Sequence, residues 1–222
     1  MRFHGSRLRI ERAKKHIGEI ESLVVGFTRS DDFHSVSIEH DNRKRTNHLR
    51  FDIHTSRFPG DDIALAIGDA LHNLRSALDF LWHEIVSECE GVPTKWTRFP
   101  VRDSRGELIA IWALDDLNIG DKHKLLVPVL KFMRFSDVRL EDGKSSPLYE
   151  NNFWLMDESC SIRLREADDI RVTVKDKGHA TATIIFDIGV PFQGEAVISA
   201  LHRIAEEVTR TVKGFALLLG KT

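Results

Sequence analysis

Between Asp69 and His83 the chain carries Asp69, His72, Asn73, Arg75, Ser76, Asp79 and His83. These side chains move protons, ligate metals or hold anions. A carboxylate beside an imidazole can orient it as a general base or acid. The pairs on offer are His72 with Asp69 or Asp79, and His83 with Asp79. Imidazole and carboxylate also suit a divalent metal cofactor such as Zn, Fe, Mn or Ni. Asp79 and His83 stand one helical turn apart and can share an ion. His72 and His83 are about 16 Å apart along a helix, so a single ion needs further ligands. Asp121 and His123 are the candidates. The expected catalytic set is therefore His72, Asp79 and His83, and the expected metal set is Asp79, His83, Asp121 and His123. Asn73 and Arg75 would hold an anionic substrate. HExxH, GxSxG, GxGxxG and a phosphate-cradling glycine loop are all absent.

A second cluster lies in "LNIGDKHK", with Asn118, Asp121, Lys122, His123 and Lys124. It reads as a helix start, where free N–H groups and the helix dipole favour an anion. Lys122 and Lys124 would add charge to that site, and Lys131, Arg134 and Arg139 would extend it. The plainer alternative is a helix capped by Asn118 or Asp121 with solvated lysines.

The elements that must position these groups follow from periodicity. Apolar residues at Leu8, Ala13, Ile17, Ile20, Val24 and Phe27 predict a helix from about Ser6, which can cap it. "HSVSIEH" and "HLRFDIH" alternate and predict a hairpin across the polar turn Asp41–Arg45. Asp61 or Asp62 is expected to cap a long helix ending near Gly91 and Pro93. On it Ala70, Leu71, Leu74, Ala77, Leu78, Leu81, Trp82 and Ile85 share one apolar face. Asp69, His72, Ser76, Asp79 and His83 fall on the other side within an arc of roughly 80°, flanked by Asn73 and Phe80, with Arg75 at the far border.

This polar arc is unusual for a solvated face. From Asp61 to Glu84 there is no lysine and a single arginine. Exposed helix faces favour Lys and Glu, whereas Asp, Asn, Ser and His compete with the backbone and form helix less well. Phe80 suggests that another element covers part of the face.

Downstream, residues 93–114 are expected to be an irregular loop anchored by Trp96, Phe99 and Trp112, followed by a short helix that Pro128 ends. Val138 with Leu140, and Ile162 with Leu164, alternate as strands. "DIRVTVKDKGHATATIIFDI" predicts a hairpin with Gly178 in its turn. Val197, Leu201, Ile204, Val208, Val212, Phe215 and Leu219 predict a final helix over 194–219. The order implies an α+β fold of long amphipathic helices packed with antiparallel hairpins. We expect one domain over 1–222, helical with a hairpin to about 130 and β-rich with a final helix from about 131.

Composition narrows the classes. The 222 residues hold 32 basic and 34 acidic side chains, a net charge of −2, so no global field draws the chain to nucleic acid or membrane. Cys89 and Cys160 form no framework and suit a reducing cytoplasm. The charged N-terminus lacks the apolar core of a signal peptide. No apolar run is long enough to span a bilayer. His34, His40, His48 and His54 are too widely spaced for a strand-borne metal pair and read as exposed strand or turn positions.

"GDALHNLRSALD", the Phe99-Pro100 pair and "N-x-x-DKHK" together resemble a bacterial family of uncharacterised proteins that carry GDxxHNLRSALD, a Phe-Pro and N-x-x-DKHR segments. The likeness spans roughly residues 7 to 127. The chain departs from it at Phe80, where the family has His, and at Lys124, where it has Arg. The resemblance implies no particular activity. A looser likeness is to HEPN-type helical ribonucleases, which use an Arg and a His close together on a helix. Arg75 and His83 are the pair here, with seven residues between them.

Three functions are consistent with these residues. One is an acid–base or metal-assisted hydrolase with its site between the Asp69–His83 face and Asp121–Lys124. Another is an RNA- or nucleotide-binding module, or a HEPN-like ribonuclease of a defence or toxin type, using Arg75, Lys122, Lys124, Lys131 and Arg134 on phosphates. The third is a non-catalytic interaction protein in which the Asp/His face is a polar seam, with a second copy of the chain as partner.

Overall fold

Apolar periodicity places most of the elements seen in the computed structural model of the chain. It describes residues 3–41, 46–89, 91–101, 109–123, 126, 128–141, 147–155, 159–164, 172–187 and 189–220. The helices are α1 (His4–Arg29), α2 (Gly60–Glu88), α3 (Ile109–His123) and α4 (Val197–Leu218). The strands are β1 (His34–Asp41), β2 (Thr46–Ile53), β3 (Val129–Glu141), β4 (Pro147–Leu155), β5 (Ser159–Arg163), β6 (Thr173–Asp176) and β7 (His179–Ile185). The fold is α+β, with antiparallel strand pairs. No helix among the described residues is long and apolar enough to cross a membrane.

The chain divides into two compact units. One holds residues 1–22, 60–129 and 185–222, and the other 23–59 and 130–184. The β1–β2 hairpin thus groups with the later strands, and α4 with the earlier helices. This differs from the expected division near residue 130, because strands need a common sheet and helices a common core regardless of chain order.

The helical unit is built on α2. Its predicted apolar face is buried: Ala70, Leu71, Leu74, Ala77, Leu78 and Leu81 are wholly inaccessible. Ile111, Leu114 and Leu117 of α3 and Val197, Leu201, Ile204, Val208 and Val212 of α4 are buried as well, and α2, α3 and α4 pack on one another. Each large side chain so buried stabilises by about 1.5–3 kcal/mol. Ser6 is not a cap, because α1 starts at His4; its hydroxyl is buried in the first turn and has no hydrogen-bond partner among the described residues. Asp61 and Asp62 likewise lie inside the first turn of α2, where their charge favours the dipole.

The segment 93–114 is only partly irregular, since α3 begins at Ile109. Ile111, Leu114 and Leu117 recur every third residue, a helical signal that the aromatics obscured. Trp96 and Trp112 do not anchor the loop: they are 73% and 43% exposed. Phe99 does so, edge-on to Trp82 at 5.9 Å and to Phe215 at 6.4 Å.

In the second unit, β1–β2–β5 form one sheet. Val36 stands opposite Phe51, and Phe51 opposite Cys160. The other sheet runs β4–β3–β6, with β7 also on β3. The expected 170–188 hairpin is therefore corrected over 172–187; Ile170, Arg171 and Ile188 lie outside the described residues. Both strands pair with β3, and Gly178 is the break between them rather than a hairpin turn. Its φ is +71°, and a Cβ would fall 2.2 Å from the Ser136 carbonyl oxygen. Only glycine fits so close to a neighbouring backbone. Phe27, Phe33, Leu49, Phe51, Phe135, Val138 and Leu140 form the core.

Candidate functional site

The polar arc of α2 lies between two flanking helices. On one side is α1. Arg9 Nη1 donates to Asn73 Oδ1 at 3.3 Å and its guanidinium sits 5.5 Å from the Phe80 ring centroid. Gly5 also packs on Phe80, leaving that ring 44% exposed. On the other side is α3, reached by Gly68 and Arg75. Between these flanks Asp69, His72 and His83 are exposed, with Ser76 and Asp79 partly so.

Several expected functional residues are structural. Asn73 is 6% exposed, and its Nδ2 donates to the Asp69 carbonyl oxygen at 2.7 Å. Held on both sides, it is not free for a substrate. Arg75 is 8% exposed. Its Nε donates to Asp115 Oδ1 at 2.7 Å, and Nη2 to the Phe99 carbonyl oxygen at 3.3 Å. Nη1 lies 2.9 Å from Asp79 Oδ1, close enough for charge attraction but off the hydrogen-bond direction. Asp79 Oδ1 in turn accepts from the Phe99 N–H at 2.9 Å. The result is a lattice that fixes the loop on α2 and α3, with Nε and Nη2 hydrogen-bonded and Nη1 held by charge attraction alone. Arg75 is thus engaged internally, and Asp79 orients a backbone rather than an imidazole. Beside this lattice is a cavity of about 460 Å³, lined by Arg75, Asp79, Arg98, Phe99, Asp115 and Asn118 among others.

The second cluster is not at a helix start. Asp121, Lys122 and His123 are the last three residues of α3. There the dipole presents carbonyls, and its field favours cations rather than anions. Asn118 is buried within the helix instead of capping it. The side chains of Lys122, His123 and Lys131, and the whole of Lys124, lie outside the described residues.

Asp121 itself does approach α2. A Cβ added at Gly68 would fall 2.4 Å from Asp121 Oδ2 and 2.9 Å from its Cγ. The carboxyl occupies the space that the glycine leaves. Its Oδ1 is buried and, among the described residues, has no hydrogen-bond partner. Burial pushes the Asp121 pKa up; the Leu126 N–H opposes this, the Asp69 charge adds to it, and His72 opposes it. Asp69, His72 and Asp121 therefore act on one another. His83 lies fifteen residues beyond Gly68, about 22 Å of helix rise, and is not brought to Asp121. Among the described residues, no three His, Cys, Asp or Glu side chains converge as metal ligands.

The sequence features that suggested a family acquire a physical account. Gly68 admits Asp121; Arg75 and Asp79 clamp Phe99; Asn118 lines the adjoining cavity. Asp115 was not anticipated, although its place two helical turns ahead of Asp121–Lys122 on a stripe with Asn118 was visible once α3 is extended upstream. Compared with known proteins, the chain matches no family model, no curated protein and no solved structure.

Proposed function

We propose that the chain is an acid–base hydrolase whose reacting groups are Asp121, His72 and Asp69. The carrying observation is the Asp121 carboxyl, which has a buried, unpartnered oxygen and an upward-shifted pKa beside an exposed imidazole. Titratable neighbours in unlike environments are the usual basis for dividing acid and base roles. Asp121 would keep its proton to higher pH and donate it, while His72 would accept one from water. Asp69 would orient His72. Lys122 and Lys124, one and three residues after Asp121, are the candidate contacts for a small anionic substrate or a nucleotide.

The test is turnover by the purified chain of chromogenic carboxylic esters, phosphomonoesters and phosphodiesters at several pH values. Asp121→Asn and His72→Ala should each lower the rate by about 10²–10⁴-fold while the chain still unfolds cooperatively. Wild-type turnover no greater than that of the doubly substituted chain refutes the reading. Elemental analysis of the purified protein tests the metal-assisted form, in which His123 joins as a ligand.

A second reading is favoured by the Arg75 lattice: a non-catalytic interaction protein in which buried polar contacts fix the packing. It predicts that Asp121→Asn and His72→Ala leave every rate at background while sedimentation reports a dimer. An RNA-binding module would instead show salt-sensitive binding that is lost when Lys122 and Lys124 are changed.

A further inference from the structure

His34 begins β1 and, contrary to the expectation of an exposed strand position, is 6% exposed. Its ring stands edge-on to Phe33 at 5.7 Å and to Phe135 at 5.0 Å. Nε2 lies 3.2 Å from the Lys177 carbonyl oxygen. A carbonyl only accepts, so Nε2 carries the proton in the neutral ring and Nδ1 is a bare lone pair. That Nδ1 is buried and, among the described residues, has no hydrogen-bond partner. A second bond runs the other way, with Lys177 Nζ donating to the Asp31 carbonyl oxygen at 2.6 Å. Together the two bonds clasp the start of β1 to the Lys177–Gly178 link between β6 and β7. Gly178, lacking a Cβ, lets the link sit directly against Ser136 and Val138.

The charged groups acting on His34 are Lys177, His54 and His179, and no described carboxylate is among them. His34 itself lines a cavity of about 450 Å³ together with Asp31, Asp32, His54 and Arg57. Asp32 is paired with Arg57 at 2.7 Å.

We propose that His34 is an acid-release switch: neutral, it locks the Lys177–Gly178 link onto β1, and in mild acid a proton on Nδ1 unlocks it. Protonation places an N–H without an acceptor, and a positive charge, between two phenyl rings and beside further cationic groups. Burying such a charge unpaired is costly, and opening the link relieves it by admitting water. Desolvation holds the His34 pKa below its ordinary value; the Lys177 carbonyl opposes this, and the Lys177, His54 and His179 charges reinforce it. The unfolded or opened state therefore binds the proton more readily. The clasp is complete above about pH 6.5 and loses stability as pH falls from there through the folded pKa.

Hydrogen exchange of the full chain, corrected for intrinsic rates and compared at about pH 7.5 and pH 5, reads this directly. Alongside it, imidazole NMR follows the His34 titration. Protection of residues 31–35 and 174–180 should fall by about tenfold or more while α2 stays protected. The midpoint of that loss should match the His34 titration. His34→Gln keeps an N–H donor and cannot titrate, so its protection should be flat across the range. Equal protection of the wild type at both pH values overturns the proposal, as does the same acid release in His34→Gln. Should His34→Gln fail to fold, the wild type alone decides: titration of His34 without local opening, or opening only together with α2, also overturns it.

Discussion

Replacing Gly68 by Ala should reverse its effect according to what stands at residue 121. Gly68 lies inside α2 with no positive φ, so backbone propensity alone favours alanine by about 1 kcal/mol. Against this, the new methyl would sit 2.4 Å from Asp121 Oδ2, 2.9 Å from Cγ and 3.0 Å from Oδ1. All three atoms are nearer than van der Waals contact allows, so the carboxyl must move. Overpacking of this kind costs about 1–3 kcal/mol. Loss of a hydrogen bond such as that from the Leu126 N–H adds about 0.5–1.5 kcal/mol. We expect Gly68→Ala to destabilise the wild type by about 1–2 kcal/mol once the propensity gain is subtracted. With Asp121→Ala in place the obstruction is gone, and the same substitution should stabilise by about 1 kcal/mol. Urea unfolding of the four proteins gives a coupling energy of about 2–3 kcal/mol. A stabilising Gly68→Ala of equal size in both backgrounds would mean that Asp121 does not rest on α2, and the proposed site would lose its basis.

Asp121→Asn should make the protein more stable at neutral pH. The folded carboxyl holds its proton above the pH at which the unfolded chain loses it, so native stability declines as pH rises through that window. Asparagine cannot ionise; the gain should reach up to about 1 kcal/mol, reduced by partial solvent screening, and vanish below about pH 4, as thermal melts across pH will show. Arg75→Met should cost about 1–3 kcal/mol in urea unfolding, less than for a fully buried pair because Asp79 and Asp115 side chains keep 34% and 30% exposure to water. A near-neutral result would show that the lattice adds nothing to stability. Leu74→Ala, at a wholly buried position, should cost about 2–5 kcal/mol, whereas Leu65→Ala, 59% exposed, should stay within about 0.5 kcal/mol; equal effects would contradict the assigned face of α2.

The long helices were legible because burial imposes a period on the chain. α2 and α4 follow their stripes nearly residue for residue, since a missed apolar position there would expose a large side chain to water. The β1–β2 hairpin was legible for the same reason at period two. Pairing beyond neighbours was not. β6 and β7 alternate as a hairpin would, but alternation says which face is buried and not which strand lies alongside. The "LNIGDKHK" segment misled because Asn118, Gly120 and Asp121 are all good terminators; burial of Asn118 and the apolar repeat upstream outweighed their local preference.

The functional residues separate along the same line. Sequence alone determined that α2 carries a polar arc poor in lysine, because intrinsic propensity makes that composition costly without a use. It also determined the opposite apolar face. Only the tertiary structure decided which polar residues are committed. Arg75 and Asp79 are consumed by Asp115 and the Phe99 backbone, a pairing across 40 residues of chain that no local pattern records. Gly68 acquires meaning only from Asp121, and His34 only from Lys177, 143 residues away. Propensity and periodicity act through near neighbours and so are written in the sequence; desolvation and hydrogen-bond partnership depend on what the rest of the chain brings, and exist only once it has folded.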